Sequence, residues 1–568
     1  MTPRRALWMA VGAVALAAWT IGGAGSASAQ IAAQAATQAD ARLAQARQAM
    51  AAGRFADAAP LFVAVLADEP DRVEALSGAV DALEALGRWK EAMPYLQRLV
   101  GLQPDDAARL AQYGEMLSWS SETRGKARGL LDRALEIDPA NVRARAALAT
   151  LDSWSGRTGA ALDGFSAVLA ADPENVSALR GMAEVRAWND EFQVARDLAL
   201  RALKREPANP YALLTLARAD VGLGRDEEAL DALAKIPDGP TYDEFDQIHG
   251  NALRGLSWWA EAGLSWRDDR SGLSLVRPAV AASAPVGARG RVGAWFSPTF
   301  FSGPEGNFHS GRLGASFDAR NDSWRLHAEA DGERYAAGVP TAADGAFDVT
   351  YRGRGPVVLA AGARREAVED TMVSTRGVVI GGAFVGQVRS NLAYASAGYS
   401  NLRSHVDASA RVSGGAYTGH GLDANGRWGV SGGLGITASG DRPYVRLGYA
   451  VDYLGFGFDA SAQPFAPGQR RSGGYFSPTK FLTNFATGHV GWRFRHDRGE
   501  WFAEGSAGSQ NVETTTRRFG DTQFAGTFAT GLVWRPGPKD ELRVEYRYLN
   551  VFNAFRRNTA AVAYRRYF

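Results

Sequence analysis

Few residue groups in this sequence have the types and spacing that chemistry needs. Gly429-Val430-Ser431-Gly432-Gly433 spells a Gly-x-Ser-x-Gly elbow. That motif works only on a strand–turn–helix corner, where the serine stands exposed, and here it falls inside an alternating, strand-like run. Val221-Gly222-Leu223-Gly224-Arg225-Asp226 copies part of a nucleotide loop but lacks the later glycine. Glu366 and Asp370 could pair as acid and base, yet they sit where a strand gives way to a loop. The seven histidines are scattered and form no HExxH pattern, and there is no cysteine. Disulfides, thiolate metal sites and a cysteine lipid anchor are therefore excluded. The reading is a non-enzyme with no catalytic residue, cofactor or metal. A formal charge of +2 over 568 residues gives no field for nucleic acid.

The elements around these residues are easier to read. Arg4 and Arg5 precede an apolar stretch from Ala6 to Ile21, and Ala27-Ser28-Ala29 fits a small-residue cleavage site before Gln30. This predicts a secretory signal over residues 1–29. Prolines then recur at Pro70, Pro104, Pro139, Pro173 and Pro207, 34 or 35 residues apart. Between them lie Gly53, Gly87, Gly156 and Gly224, with Ser121 and Asp190 in the other two slots. Small alanines follow at Ala92, Ala127, Ala161, Ala195 and Ala229. A 34-residue period with a glycine turn, a close-approach alanine and a terminal proline predicts tetratricopeptide helical hairpins over residues 30–240, about five full repeats and a partial sixth. One such unit cannot bury its apolar face alone, so stacking must supply the core. Trp119, Trp154 and Trp188 occupy equivalent slots, either as inter-repeat packing, the favoured reading, or as an aromatic ladder for a ligand.

Near Ser257 the period changes from helical to two, with 241–260 read as a linker. Val445, Leu447, Tyr449, Val451 and Tyr453 alternate with Arg446, Gly448, Ala450 and Asp452. Trp428 to Ile436, Phe524 to Trp534 and Leu542 to Tyr548 repeat the pattern, with turn clusters between. Runs of this length with short turns predict an antiparallel membrane β-barrel over 261–568, with 14–16 strands. An arginine on the lipid face at mid-membrane costs about 2–4 kcal/mol, so Arg543 and Arg547 are expected inside or at the rim. The chain ends Tyr564-Arg565-Arg566-Tyr567-Phe568, which resembles the insertion signal of outer-membrane proteins.

Three phrases narrow the reading: Arg364-Arg365-Glu366-Ala367-Val368-Glu369-Asp370-Thr371, Gly419-His420-Gly421-Leu422-Asp423-Ala424-Asn425-Gly426-Arg427-Trp428, and Gly473-Gly474-Tyr475-Phe476-Ser477-Pro478-Thr479-Lys480-Phe481. All three resemble the C-terminal domain of the cellulose synthase operon protein C family. The resemblance implies an outer-membrane export channel for an exopolysaccharide, cellulose or a related glucan, with periplasmic repeats docking inner-membrane synthase components. Family members typically carry more repeats than this chain. An outer-membrane-anchored repeat scaffold without transport is the alternative. A neutral glucan needs polar groups and flat rings along its path, held weakly at many sites. The candidates are Tyr417, Trp428, Tyr475 and Phe476, with Asp423, Asn425 and Arg427 as polar companions.

Overall fold

The computed structural model describes residues 37–236 and 244–568, except 270–271, 305, 336–337, 402, 441–442, 462–472, 495–497, 516–517 and 552–554. The expected signal at 1–29 lies outside the described residues.

Helices come first. They are the hairpins α1 (37–51) with α2 (Phe55–Asp68), α3 (Val73–Ala85) with α4 (Trp89–Leu102) and α5 (Ala107–Ser118) with α6 (Arg124–Ile137), then helices α7 (Val142–Trp154) and α8 (Thr158–Ala171), and the hairpins α9 (Val176–Trp188) with α10 (Phe192–Arg205) and α11 (Pro210–Leu223) with α12 (Asp226–Leu233). The period has a clear cause. Gly53, Gly87, Gly156 and Gly224 have φ between +70° and +75°; at Gly53, Gly87 and Gly224 this left-handed turn lets a second helix fold back on the first. Ala92, Ala127, Ala161, Ala195 and Ala229 are fully buried where helices meet. Asp190 takes the glycine slot at φ +62°. The Ser121 slot is an enlarged turn, which absorbs the extra residue of the 35-residue spacing. Helix α13 (Phe245–Leu256) occupies much of the stretch read as a linker.

The chain forms two compact units that divide at Trp154/Ser155. In the first, Phe62, Leu76, Leu96, Leu99, Met116, Leu131 and Leu151 form a continuous apolar core along the stacked hairpins. The second contains the later hairpins and the barrel.

The barrel strands are β1 (Trp259–Asp269), β2 (Ser274–Val286), β3 (Gly290–Gly303), β4 (Gly306–Arg320), β5 (Trp324–Tyr335), β6 (Ala342–Arg352), β7 (Val357–Ala367), β9 (Ala383–Asn401), β10 (Val406–His420), β11 (Asn425–Gly440), β12 (Tyr444–Phe456), β13 (Lys480–Arg493), β14 (Gly499–Glu513), β15 (Gln523–Gly537), β16 (Asp540–Val551) and β17 (Phe555–Tyr567). A short strand, β8 (Val378–Ile380), pairs only with the start of β9, after the one-turn helix α14 (Met372–Thr375). Every neighbour is antiparallel, and β1 pairs with β17 from Trp259↔Tyr567 to Asp269↔Arg557, closing a 16-stranded ring. Closure leaves no open edge, as lipid requires.

Alternation sorts the side chains. Leu264, Trp266, Phe296, Phe300, Leu313, Phe317, Leu434, Leu447, Tyr449, Phe524 and Phe528 are exposed on the outer face. Their neighbours in register, including Arg312, Arg446, Arg543 and Arg547, face inward. Among the described residues no helix is long and apolar enough to cross a membrane. The closed strand wall with its apolar outer surface points to the outer membrane.

Candidate functional site

The barrel has a short-turn rim, with hairpin turns of a few residues such as 287–289 and 321–323, and a long-loop rim, where the β7–β9 and β12–β13 connections lie. Those two long connections form the site.

The β7–β9 connection crosses the bore. Glu369 belongs to it, yet its carboxylate takes hydrogen bonds of 2.8 Å from Arg267 on β1 and 2.6 Å from Arg277 on β2. These strands lie six and five places away around the ring. Arg267 also donates to the Glu369 carbonyl at 2.5 Å. Next in the chain, Asp370 lies 3.3 Å from Arg557 on β17 and accepts from the Phe476 backbone N–H at 3.2 Å. Helix α14 is pinned by a capping box between Thr371 and Ser374, and Tyr335 donates to the Thr375 carbonyl at 3.1 Å. Burial pushes the Glu369 carboxyl up, but Arg277, Arg267 and Arg312 outweigh it, and Glu369 stays below the ordinary glutamate range. Beneath the loop, Arg389 lies 3.1 Å from Glu333 and 2.9 Å from Asp344, all three side chains buried.

The β12–β13 connection folds against the first. Tyr475 is buried, with its ring centroid 5.2 Å from Tyr417. Tyr417 meets Phe456 edge-on at 5.0 Å. Burial pushes the Tyr475 hydroxyl up to about 12. Asn425 is fully buried, donates to the Phe458 carbonyl at 2.8 Å and accepts from the Phe458 N–H at 3.1 Å. Ser477 Oγ accepts from the Ala460 N–H at 2.7 Å.

Below the loops, the inner wall from β7 to β12 is built of small residues. A hollow of about 420 Å³ is lined by Ala360, Ser396, Gly398, Ser409, Ser431, Gly433 and Ala450. A second of about 340 Å³ adjoins it, with Arg364, Tyr394, Arg411, Ser413, Arg427 and Asp452. The Arg411 guanidinium lies 3.8 Å above the Tyr394 ring, and the Tyr394 hydroxyl donates to Asp348. Elsewhere inward charges are paired: Arg312 with Asp331, Arg446 with Asp407, Arg535 and Arg543 with Glu541, and Arg565 with Glu261. The bore is polar and carries both signs.

The sequence-selected residues separate into groups. Tyr417, Tyr475 and Asn425 come together at the long-loop rim as packing that holds the connections in place. Phe476 meets Phe481 edge-on at 5.6 Å beside them. Arg427 faces the second hollow. Asp423 is exposed in the β10–β11 connection. Trp428 is a correction: it stands on the outer face with Val430, Leu434 and Ile436, 52% exposed, because its parity in β11 is opposite to that of Arg427. The three repeat tryptophans make different contacts. Trp119 meets Trp89 edge-on at 5.0 Å, Trp154 carries the Arg124 guanidinium at 4.9 Å, and Trp188 ends α9 with 37% exposure. Ser431 lies within β11 and Val221–Asp226 within a repeat turn, so neither motif has its working context. Sequence reasoning missed Arg267, Arg277, Arg557 and Arg389, which partner across the ring and leave no local spacing to read.

Residues 49–112 and 120–185 match the tetratricopeptide repeat family. Residues 345–529 match the family described as cellulose synthase operon protein C C-terminus. No curated protein matches the chain. Among solved structures, a bacterial polysaccharide outer membrane secretin is 14% identical, covering 55% of this chain and 99% of its own, with a TM-score of 0.42. PilW, a type IV pilus biogenesis factor, is 18% identical, covering 35% and 91%, with a TM-score of 0.29. A tetratricopeptide repeat protein from Parabacteroides merdae is 14% identical, covering 38% and 86%, with a TM-score of 0.30. At those scores the structural likenesses say nothing of function. Along the chain, matches to tetratricopeptide repeats thus precede a closed barrel whose residues 345–529 match the cellulose synthase operon protein C C-terminus family.

Proposed function

We propose that the protein is an outer-membrane export channel for an exopolysaccharide, cellulose or a related neutral glucan, with its repeats in the periplasm docking the synthesis machinery. One observation carries the reading: a 16-stranded ring encloses a small-residue, charge-balanced inner wall, within the region that matches the cellulose operon family. A ring of this size can hold water, unlike an eight-stranded barrel filled by its own side chains. A neutral polymer is held too tightly by no single site on such a wall, and the paired charges raise no one-sign field against it. Short turns face the periplasm in barrels of this type, which supports a periplasmic position for the repeats and an outer position for the crossing loop. That loop then serves as the gate.

Deletion of the gene should leave synthase activity in isolated membranes and abolish extracellular polymer, restored by the wild-type chain. Normal polymer secretion in the deletion strain defeats the proposal. The loop across the bore favours a second reading, an anchored scaffold with a sealed barrel. Planar-bilayer recording separates the two, because a sealed anchor passes no current even when the loop latch is cut.

A further inference from the structure

The helices from α8 to α12 meet the short-turn rim one turn at a time. Arg403, in the β9–β10 turn, lies 2.5 Å from Asp163 on α8. In the β6–β7 hairpin, Arg354 lies 3.1 Å from Asp197 on α10, and Arg352 lies 3.4 Å from the Asp190 carboxylate while donating to its carbonyl at 3.3 Å. In the β4–β5 turn, Asp322 takes two bonds from Arg225, at 2.6 and 3.0 Å, and a third from Arg289 of the β2–β3 turn at 2.9 Å. Gln193 donates to the Asp322 carbonyl at 2.6 Å and to Ser323 Oγ at 2.9 Å. Arg320 reaches back to the buried Asp226 at 2.5 Å.

The spacing of these contacts is the informative part. Asp163 and Asp197 stand 34 residues apart, the repeat period. The turns near Gly156, Asp190 and Gly224 face the rim, and three successive rim turns receive them, with Arg289 of the next turn sharing Asp322. Two details show shape as well as charge. A Cβ at Gly224 would collide with the Arg320 guanidinium, so that glycine is also a notch for the rim. At Asp190, a left-handed turn that other hairpins give to glycine is held by a residue that tolerates it less well, and its side chain and carbonyl both engage Arg352. Single exposed ion pairs contribute little, but a registered set sharing a carboxylate between arginines fixes geometry.

We propose that residues 155–236 are a collar of the channel: the barrel rim sets their register, and they form the fixed mouth by which polymer enters. The proposal rests on the export reading only for the polymer. The contact itself is tested separately.

The chain has no cysteine, so one engineered pair reports alone. A Cβ built at Gly159 lies 3.6 Å from Arg403 Cβ, within disulfide range. Gly159→Cys with Arg403→Cys should give a 159–403 disulfide peptide by mass spectrometry of oxidised whole cells, lost on reduction. Absence of that peptide overturns the collar. With the bond formed, export should match that of the same cells after reduction; export that returns only on reduction shows that the contact must open, and overturns a fixed mouth. As a second variant, Asp190→Gly with Arg225→Gln removes two contacts and keeps a favourable turn. It should lower polymer release severalfold with single-channel conductance unchanged, and unchanged release overturns the entry role. If the disulfide forms in a strain where the deletion never affected secretion, the collar stands and the export reading falls.

Discussion

Glu369 and Arg267 meet twice across the bore: the guanidinium binds the glutamate carboxylate at 2.8 Å and its main-chain carbonyl at 2.5 Å. A loop rooted on one wall is thereby tied to the other by both side chain and backbone. Removing one member of a buried charged pair typically costs about 3–5 kcal/mol. Glu369→Gln should shift the loop toward open by roughly two to four orders of magnitude. Planar-bilayer recordings should show larger or more frequent openings than wild type. An unchanged trace would mean the loop is not the obstruction.

Acid should act through the same carboxylate. Arg277, Arg267 and Arg312 hold Glu369 below its ordinary range. The latch is then fully present above the unfolded value, about 4.3, and is lost as pH falls through the lower folded value. Conductance should stay flat from pH 7 to about 5 and rise only below about 4. The acid rise should be absent in Glu369→Gln, and a rise centred near pH 6 would assign the effect to another group.

Leu434 and Ser431 test which face is which. Leu434 is 62% exposed on the outer wall, and Ser431 lines both inner hollows. Leu434→Arg should lower the unfolding free energy by about 2–4 kcal/mol at mid-membrane. Ser431→Arg should fold normally and reduce conductance by filling the hollow. Denaturant titration in lipid vesicles reads the first effect and bilayer recording the second; reversal of the two would invert the barrel.

Tyr475 holds the second connection. Because burial pushes its hydroxyl up to about 12, it remains neutral to well above pH 10, and Tyr475→Phe should leave the loop in place. Tyr475→Ala removes the ring packed on Tyr417 and should cost about 3–5 kcal/mol locally. Limited proteolysis of whole cells should then cut the β12–β13 connection faster in the alanine variant alone.

In the repeats, Gly181 lies against the buried Phe165 ring, so closely that a Cβ would overlap it. Gly181→Ala gains about 1 kcal/mol of helix propensity but meets an overpacking cost of about 1–3 kcal/mol. The net should be a lower helical melting temperature by circular dichroism. A rise would show that Phe165 has room to turn.

Much of this architecture could be read directly from residues. The prolines from Pro70 to Pro207 and the turn glycines marked the hairpins, because a solenoid repeats its local geometry. The parity of Leu447 and Tyr449 against Arg446 marked the wall, and the inward direction of Arg543 and Arg547 followed from the cost of charge in lipid. The site was less legible. Tyr475 and Phe476 were found as a loop phrase, but Arg267, Arg277 and Arg557 are ordinary inward arginines until the β7–β9 loop reaches them. Trp428 misled because an aromatic fits a sugar path and a lipid face equally well; only its register decides. Asp190 stood out as a missing glycine, yet its reason lay on another element, at Arg352.

The pairing of hairpin turns with rim turns also limits how such a protein can change length. Adding or losing 34 residues beyond Ser155 would slide Asp163, Asp190 and Asp197 past their arginines by a whole step. The same change earlier in the chain leaves every one of those partners in place. Evolutionary growth of the repeat arm is therefore free at its leading end and locked at its trailing one.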